Sequence, residues 1–446
     1  TLAEPAPLSS WIPDFISIES SNANSAKQDI PFSVVIGNPP YLAASANENP
    51  WIRNLMRTKL SDDADSYFRV DGADLGERNP RWINDDYVKF MRYSQFLLLK
   101  NSFGVFGFIT NHGYLSNPTF RGVRQSWMQT FERIEIYDLH GNSRRGEKAP
   151  GGAKDENVFD IQQGVAINIS SRTGKLKQQV RHTDIWGSRI SKLETLSFSN
   201  SAIVLEEISP KSEFYPFYPE NIELKKEYSK GVSLKDIFSN YGAGITTARD
   251  NFSIDFVREI LAQRVSSFAN HPTKHEEACN HFGISLKKGW DYAKARNDLR
   301  LIKDYDRFVT EITFRPFDDR WVFYHDAIIW RTVKKVMKPM IEGENIGLIS
   351  ARSNKSHEMN HFFVTTNPTE MKTGESTTNS YLFPLYTLNG NSSLNPNLVT
   401  LVSDSVGKRL PIEIFHFMYA SLHSRSYRKK YIQYLKNDFP KVQFTT

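Results

Sequence analysis

The stretch Phe32-Ser33-Val34-Val35-Ile36-Gly37-Asn38-Pro39-Pro40-Tyr41 constrains this chain more than any other. Its apolar, β-branched first half has the length of a buried parallel strand, which belongs in an α/β sheet. Two consecutive prolines cannot continue a ladder, so the strand must stop there. Beyond the stop stand a side-chain amide, a tertiary-amide carbonyl and an aromatic ring, all at a strand's C-terminal end. In open α/β sheets that rim is where ligands bind.

At 446 residues, 39% hydrophobic and 24% charged, the chain is long enough for two or three domains with proper cores. No apolar stretch approaches membrane-spanning length, no signal peptide is legible, and the single Cys279 excludes an internal disulfide framework. A cytoplasmic, reducing compartment and no membrane partner are therefore expected. The formal net charge of +6 permits a polyanionic partner without demanding one.

Residues 1–30 are rich in Ser, Asn, Ala and Pro and read as a leader or linker. Within them Trp11-Ile12-Pro13-Asp14-Phe15-Ile16 suggests a docking strand or turn. After Tyr41 the carboxylates Asp62, Asp63, Asp65, Asp71 and Asp74 lie in a polar segment with Tyr67 and Phe68. Without regular ligand spacing this reads as a solvated loop or lid, and no metal is expected. A buried helix over 86–100, a strand over 105–109, a helix over 121–131 and a strand over 134–139 follow. That alternation predicts a doubly wound sheet. The glycine-rich, basic loop His140-Gly141-Asn142-Ser143-Arg144-Arg145-Gly146-Glu147-Lys148 leaves the last of these strands. Arg144, Arg145 and Lys148 there could grip a phosphate, or the loop could simply be solvated surface. Residues 158–169 read as a turn into a sheet-closing strand. His271, His275 and Cys279 have a spacing that can hold zinc, yet histidines on a solvated helix need no metal.

Further along, Tyr241-Gly242-Ala243-Gly244-Ile245-Thr246-Thr247-Ala248-Arg249-Asp250 and Phe314-Arg315-Pro316-Phe317-Asp318-Asp319-Arg320-Trp321 stand out. So do Leu382-Phe383-Pro384-Leu385-Tyr386 and the closing Pro411-Ile412-Glu413-Ile414-Phe415-His416-Phe417. Cations interleaved with aromatics, among them Arg331, Lys334 and Lys335 beside Trp330, suit phosphate and groove contacts. Arg315 and Asp318 read better as an internal ion pair with core aromatics between them. Residues 424–436 read as one basic helix. In order, these segments and Asn38-Pro39-Pro40-Tyr41 resemble the methyltransferase and target-recognition portion of single-chain restriction–modification enzymes, the type I-like and type IIG kinds.

The resemblance implies site-specific N6-adenine methylation of double-stranded DNA with S-adenosyl-L-methionine, by a γ-type methyltransferase. Asn38 and the Pro39 carbonyl would each accept one N6 hydrogen, Pro40 would complete the turn, and Tyr41 and Phe159 would stack on the flipped base. Transfer of this kind needs neither a covalent enzyme intermediate nor a metal. The family's glycine-rich cofactor turn is not found in residues 1–30, so the cofactor-binding half is expected in an upstream part of the same polypeptide. A nuclease and a translocase could lie there too. The expected layout is a leader over 1–30 and the C-terminal part of a Rossmann-like α/β methyltransferase sheet over 31–185. A connecting segment over 186–245 and a mixed α+β target-recognition domain over 246–446, ending in helices, complete it. Arg249 joins Arg331, Lys334 and Lys335 as a candidate DNA contact. The same tetrapeptide also serves methyltransferases of RNA or of protein glutamine, and a non-catalytic DNA-recognition module could keep this fold.

Overall fold

The computed structural model describes residues 18, 19, 22 and 30–444, apart from 42–46, 63, 78–79, 175–176, 198–202, 213, 286–288, 355–358 and 377. The segment 11–16 and Asp63 lie outside the described residues. The chain divides into two compact units, Thr1–Asn221 and Ile222–Thr446, with the division inside the segment assigned above to a connection.

In unit 1, β1 (Val34–Gly37) ends where the prolines require. The acidic segment folds back as a small hairpin of β2 (Arg69–Val70) and β3 (Ala73–Asp74), anchored by buried Tyr67 and Phe68 rather than lying free. Helix α1 (Asp86–Leu98) precedes β4 (Gly104–Asn111), and α2 (Arg121–Thr130) precedes β5 (Arg133–Asp138). β6 (Val165–Arg172), β7 (Gln179–Asp184), α3 (Arg189–Ser197) and β8 (Glu206–Ile208) follow. The sheet order is β1-β4-β6-β5-β7-β8. β1 pairs parallel with β4, and β5 parallel with β7. β6 is antiparallel to both its neighbours, β4 and β5. It therefore lies inside the sheet instead of closing it, because apolar alternation fixes neither a strand's direction nor its neighbours. With β6 reversed, the C-terminal ends of β1, β4, β5 and β7 share one rim.

The two helices cover one face. Tyr87, Val88 and Met91 of α1 and Val123 and Trp127 of α2 pack on Phe106, Phe108, Ile134 and Ile136. Trp127 is fully buried, and its indole N–H donates to Ser170 Oγ at 3.0 Å. On the opposite face the end of the sheet at β1 is bare among the described residues: Val34, Ile36, Val105 and Ile169 are all exposed, Ile36 to 79%.

Unit 2 opens with a helix over Ile222–Ser229, followed by β9 (Val232–Ser233), β10 (Gly242–Ala243) and β11 (Ile254–Asp255). Helix α4 (Arg258–Asn270) then leads to a hairpin of β12 (Val309–Arg315) and β13 (Asp318–Phe323). Beyond it come α5 (Lys334–Ile341), β14 (Gly347–Ala351), β15 (Phe362–Thr365), β16 (Ser380–Pro384), α6 (Pro396–Val406) and α7 (Pro411–His423). Two antiparallel sheets form, β10-β16-β14-β15 and β11-β13-β12. The basic segment after α7 is two short helices, Arg425–Lys430 and Ile432–Leu435, where one was expected. The break falls at Tyr431, which is buried and bonds the carboxylate of Glu227 at 2.7 Å. The last strand, β17 (Lys441–Val442), pairs with β9 and ties the end of the unit to its beginning.

Candidate active site

The rim is built from strand ends. At β1, Asn38 is exposed, Pro39 buried and Tyr41 half-buried. The Tyr41 hydroxyl lies 2.9 Å from Asn38 Oδ1 and 3.1 Å from the Ile109 carbonyl, so its single proton can serve either acceptor. Burial pushes this phenol up to about 12, which keeps it protonated and a donor. The Tyr41 ring meets Tyr87 edge-on at 6.3 Å. Tyr41 and Phe159 both pack against the cluster of Tyr137, Leu139, Val165 and Ile185. The two aromatics that the resemblance pairs around a base are thus brought to one patch of the rim. Phe159 is fixed there by its backbone N–H, which donates to Asn157 Oδ1 at 2.9 Å.

Beside them lies an ionic network that sequence reading did not single out. His112 Nδ1 is 3.0 Å from Asp138 Oδ1, and His112 Nε2 is 3.2 Å from the Asn142 amide nitrogen. His140 Nδ1 meets Glu147 at 3.1 Å and Nε2 meets Asp184 at 2.8 Å, while its ring stacks on Trp186. Burial opposes charge on His140, yet Asp184, Glu147 and Asp138 raise it to about 9. Burial likewise opposes ionisation of Asp138, and His112 and His140 hold it down at about 2. Nitrogen and oxygen atoms of His112, His140 and Glu147 converge within 4.8 Å, a spacing that suits a cation. These ring nitrogens are already engaged in hydrogen bonds, so the cluster is satisfied as an ion-pair network. Its one sequence signal is position: His112, Asp138, His140 and Asp184 stand at or just beyond strand ends, while Glu147 reaches back from the following loop.

This network roots the loop between β5 and β6. Asp155 accepts from the Gly141 and Gly187 amides at 2.7 and 2.8 Å and pairs with Lys192 at 2.8 Å, both side chains fully buried. Lys192 also donates to the Leu139 and Glu156 carbonyls, each at 2.6 Å. At Gly164 a Cβ would come 2.4 Å from the His112 ring, so only glycine fits. Arg144 and Lys148 are exposed on the far part of this pinned loop. The Arg145 side chain lies outside the described residues.

In unit 2, Arg331, Lys334 and Lys335 are exposed. Lys334 and Lys335 line a shallow basin of about 650 Å³ with Lys338, Asn240 and Asn389. Arg249 departs from the expectation of a DNA contact: it is buried, its Nη1 donates to the Ile328 carbonyl at 2.8 Å, and its guanidinium lies over Trp290 at 3.5 Å. It holds the interior of the unit together. Arg315 and Asp318 are both ion-paired, but not to each other. Arg315 meets Glu370 at 2.8 Å, and Asp318 meets Arg320 at 2.7 Å. The intervening Phe317 is fully exposed, not in the core.

A model of the Eco57I restriction-modification methylase family matches residues 4–144, and a model of the Type ISP C-terminal specificity domain matches residues 236–446. Residues 4–144 are thus similar to a restriction-modification methylase family, and residues 236–446 to the type ISP specificity domain. Among curated proteins none matches significantly. Three solved structures share the fold of both domains. The DrdV–DNA complex matches with a TM-score of 0.68 and 20% identity, over 96% of this chain and 44% of that one. The ATP-dependent Type ISP restriction-modification enzyme LlaBIII bound to DNA matches at 0.70 and 20%, over 98% of this chain and 30% of that one. A nuclease-deletion mutant of the Type ISP enzyme LlaGI with a DNA substrate mimic matches at 0.68 and 18%, over 98% and 36%. The methylase and specificity domains together thus span less than half the length of each of these chains.

Proposed function

We propose that this chain is the base-binding and sequence-reading part of a site-specific DNA adenine-N6 methyltransferase that uses S-adenosyl-L-methionine. The observation that carries the reading is the Asn38 amide at the end of β1, held by the Tyr41 hydroxyl. One lone pair of Asn38 Oδ1 takes the phenol proton and the other remains for an amine hydrogen; the Pro39 carbonyl takes the second. An exocyclic amine so held is closer to tetrahedral, and its lone pair is aimed at the incoming methyl. Asn38 has no useful basicity, so the extra proton leaves after the methyl arrives. Tyr41 and Phe159 supply the apolar walls that receive an unstacked base. DNA is favoured over RNA or protein glutamine by the specificity domain and by charge. Unit 2 carries 32 Lys and Arg against 24 Asp and Glu, so the chain's positive excess lies in the unit that would read the duplex.

The described residues do not fit the cofactor. Beside Asn38 the exposed end of the sheet offers Val34, Ile36, Val105 and Ile169, four side chains with no polar group for a ribose or an amino acid. The donor is therefore assigned to a further part of the polypeptide. The same observation favours a second reading, a recognition module without catalysis. Replacing Asn38 by Ala in the full-length enzyme separates the two. The methyltransferase reading expects N6-methyladenine to disappear from mass spectra of treated DNA while duplex affinity stays within a few-fold. Unchanged methylation would falsify the role given to Asn38.

A further inference from the structure

The β12–β13 hairpin turns through two residues, Pro316 and Phe317, with Arg315 and Asp318 as backbone register partners at its end. Phe317 has φ +62°, in the left-handed region where such turns ordinarily place glycine or asparagine. A bulky ring is an outlier there, and this one is 101% exposed, touching nothing that would compensate the strain. The mount below it is rigid. The Arg320 guanidinium is sandwiched between Phe256 at 4.2 Å and Phe314 at 4.1 Å and is bound bidentately by Asp318. Arg315 is fixed by Glu370, and Thr313 donates to Asp319 at 2.8 Å. The arginines at the hairpin's end are thus neutralised within the protein, and the ring is what the tip offers to a partner.

We propose that Phe317 is a wedge that inserts its ring into the base stack of duplex DNA. The inference rests on the reading of unit 2 as a duplex-binding unit. A cationic unit presenting one rigid, unpartnered aromatic ring suits a base step: apolar side chains unstack steps in this way, and every base has a π-face to receive one. Because the neighbouring ion pairs are internal, insertion leaves no arginine or aspartate stranded without its partner.

The test uses the whole 446-residue chain and an excess of sheared genomic duplex DNA, with Phe317→Trp, Phe317→Ala and Phe317→Gly. The added tryptophan is expected to lose emission and to become shielded from iodide when DNA binds. Both small substitutions are expected to weaken binding about tenfold, the size of one lost aromatic–base stack. Phe317→Gly is also expected to raise the melting temperature, because glycine relieves the left-handed backbone; a residue kept for stability would behave in the opposite way. Unaltered tryptophan emission in the DNA-bound state, or wild-type affinity in Phe317→Ala, overturns the wedge. An emission change that follows protein concentration without DNA assigns the tip to a protein partner and overturns it as well. Failure of the unsubstituted chain to bind DNA at all overturns the duplex reading of unit 2 itself.

Discussion

In the proposed methyltransferase reading, Tyr41 has two jobs that a substitution can separate. Its ring walls the candidate base pocket, and its hydroxyl orients the Asn38 amide. Tyr41→Phe is therefore expected to keep base binding and lose roughly tenfold in the rate of methyl transfer, about the effect of one orienting hydrogen bond. Tyr41→Ala should lose both, which single-turnover kinetics on the full-length enzyme would resolve. His140 adds a pH dependence. Its folded value near 9 lies above the ordinary 6.5, so its contribution to stability is full below pH 6.5 and disappears as the pH rises through 9. Denaturation midpoints of wild type and His140→Gln should differ at pH 6 and converge at pH 10; a constant gap would remove the charge from the account. At this scale the legible residues were those whose meaning is local. Two prolines end a strand wherever they stand, so Asn38 to Tyr41 could be placed from sequence. Arg249 could not, because its fate depends on Trp290 and the Ile328 carbonyl, far along the chain.

The loop between β5 and β6 is ordered by a buried ion pair, and that makes it breakable in a particular way. Asp155→Ala leaves the Lys192 ammonium without its carboxylate in a fully enclosed position, a loss of about 3–5 kcal/mol. Urea denaturation should register most of it. Substituting Asp155 and Lys192 together by apolar residues should cost less than the single change, because no charge is then left unpaired. Helices and strands rich in apolar periodicity, such as α1 and β4, were readable from the sequence to within a few residues. The reversed direction of β6 was not, because a strand of the same composition can pair either way. The Pro316-Phe317 turn misled for a different reason. An aromatic beside an Arg-Asp pair has the composition of a core, and only the backbone geometry shows the ring pointing away from it.

At the scale of the molecule, the exposed face over Val34, Ile36, Val105 and Ile169 supports the proposal that the cofactor is held elsewhere than on the described residues. Titration of S-adenosylmethionine into this chain alone is expected to show no tight binding by calorimetry; micromolar affinity would mean that the cofactor is held by residues read here as structural. The arrangement of unit 1 also bears on how it is made. β4 and β5 never touch directly, since β6 stands between them and bonds to both. During synthesis both of those strands emerge first and must wait, edges open, until residues 165–172 arrive. The nascent chain therefore passes through an interval in which β4 and β5 both carry unpaired backbone edges. Chaperone binding or aggregation during translation would concentrate there.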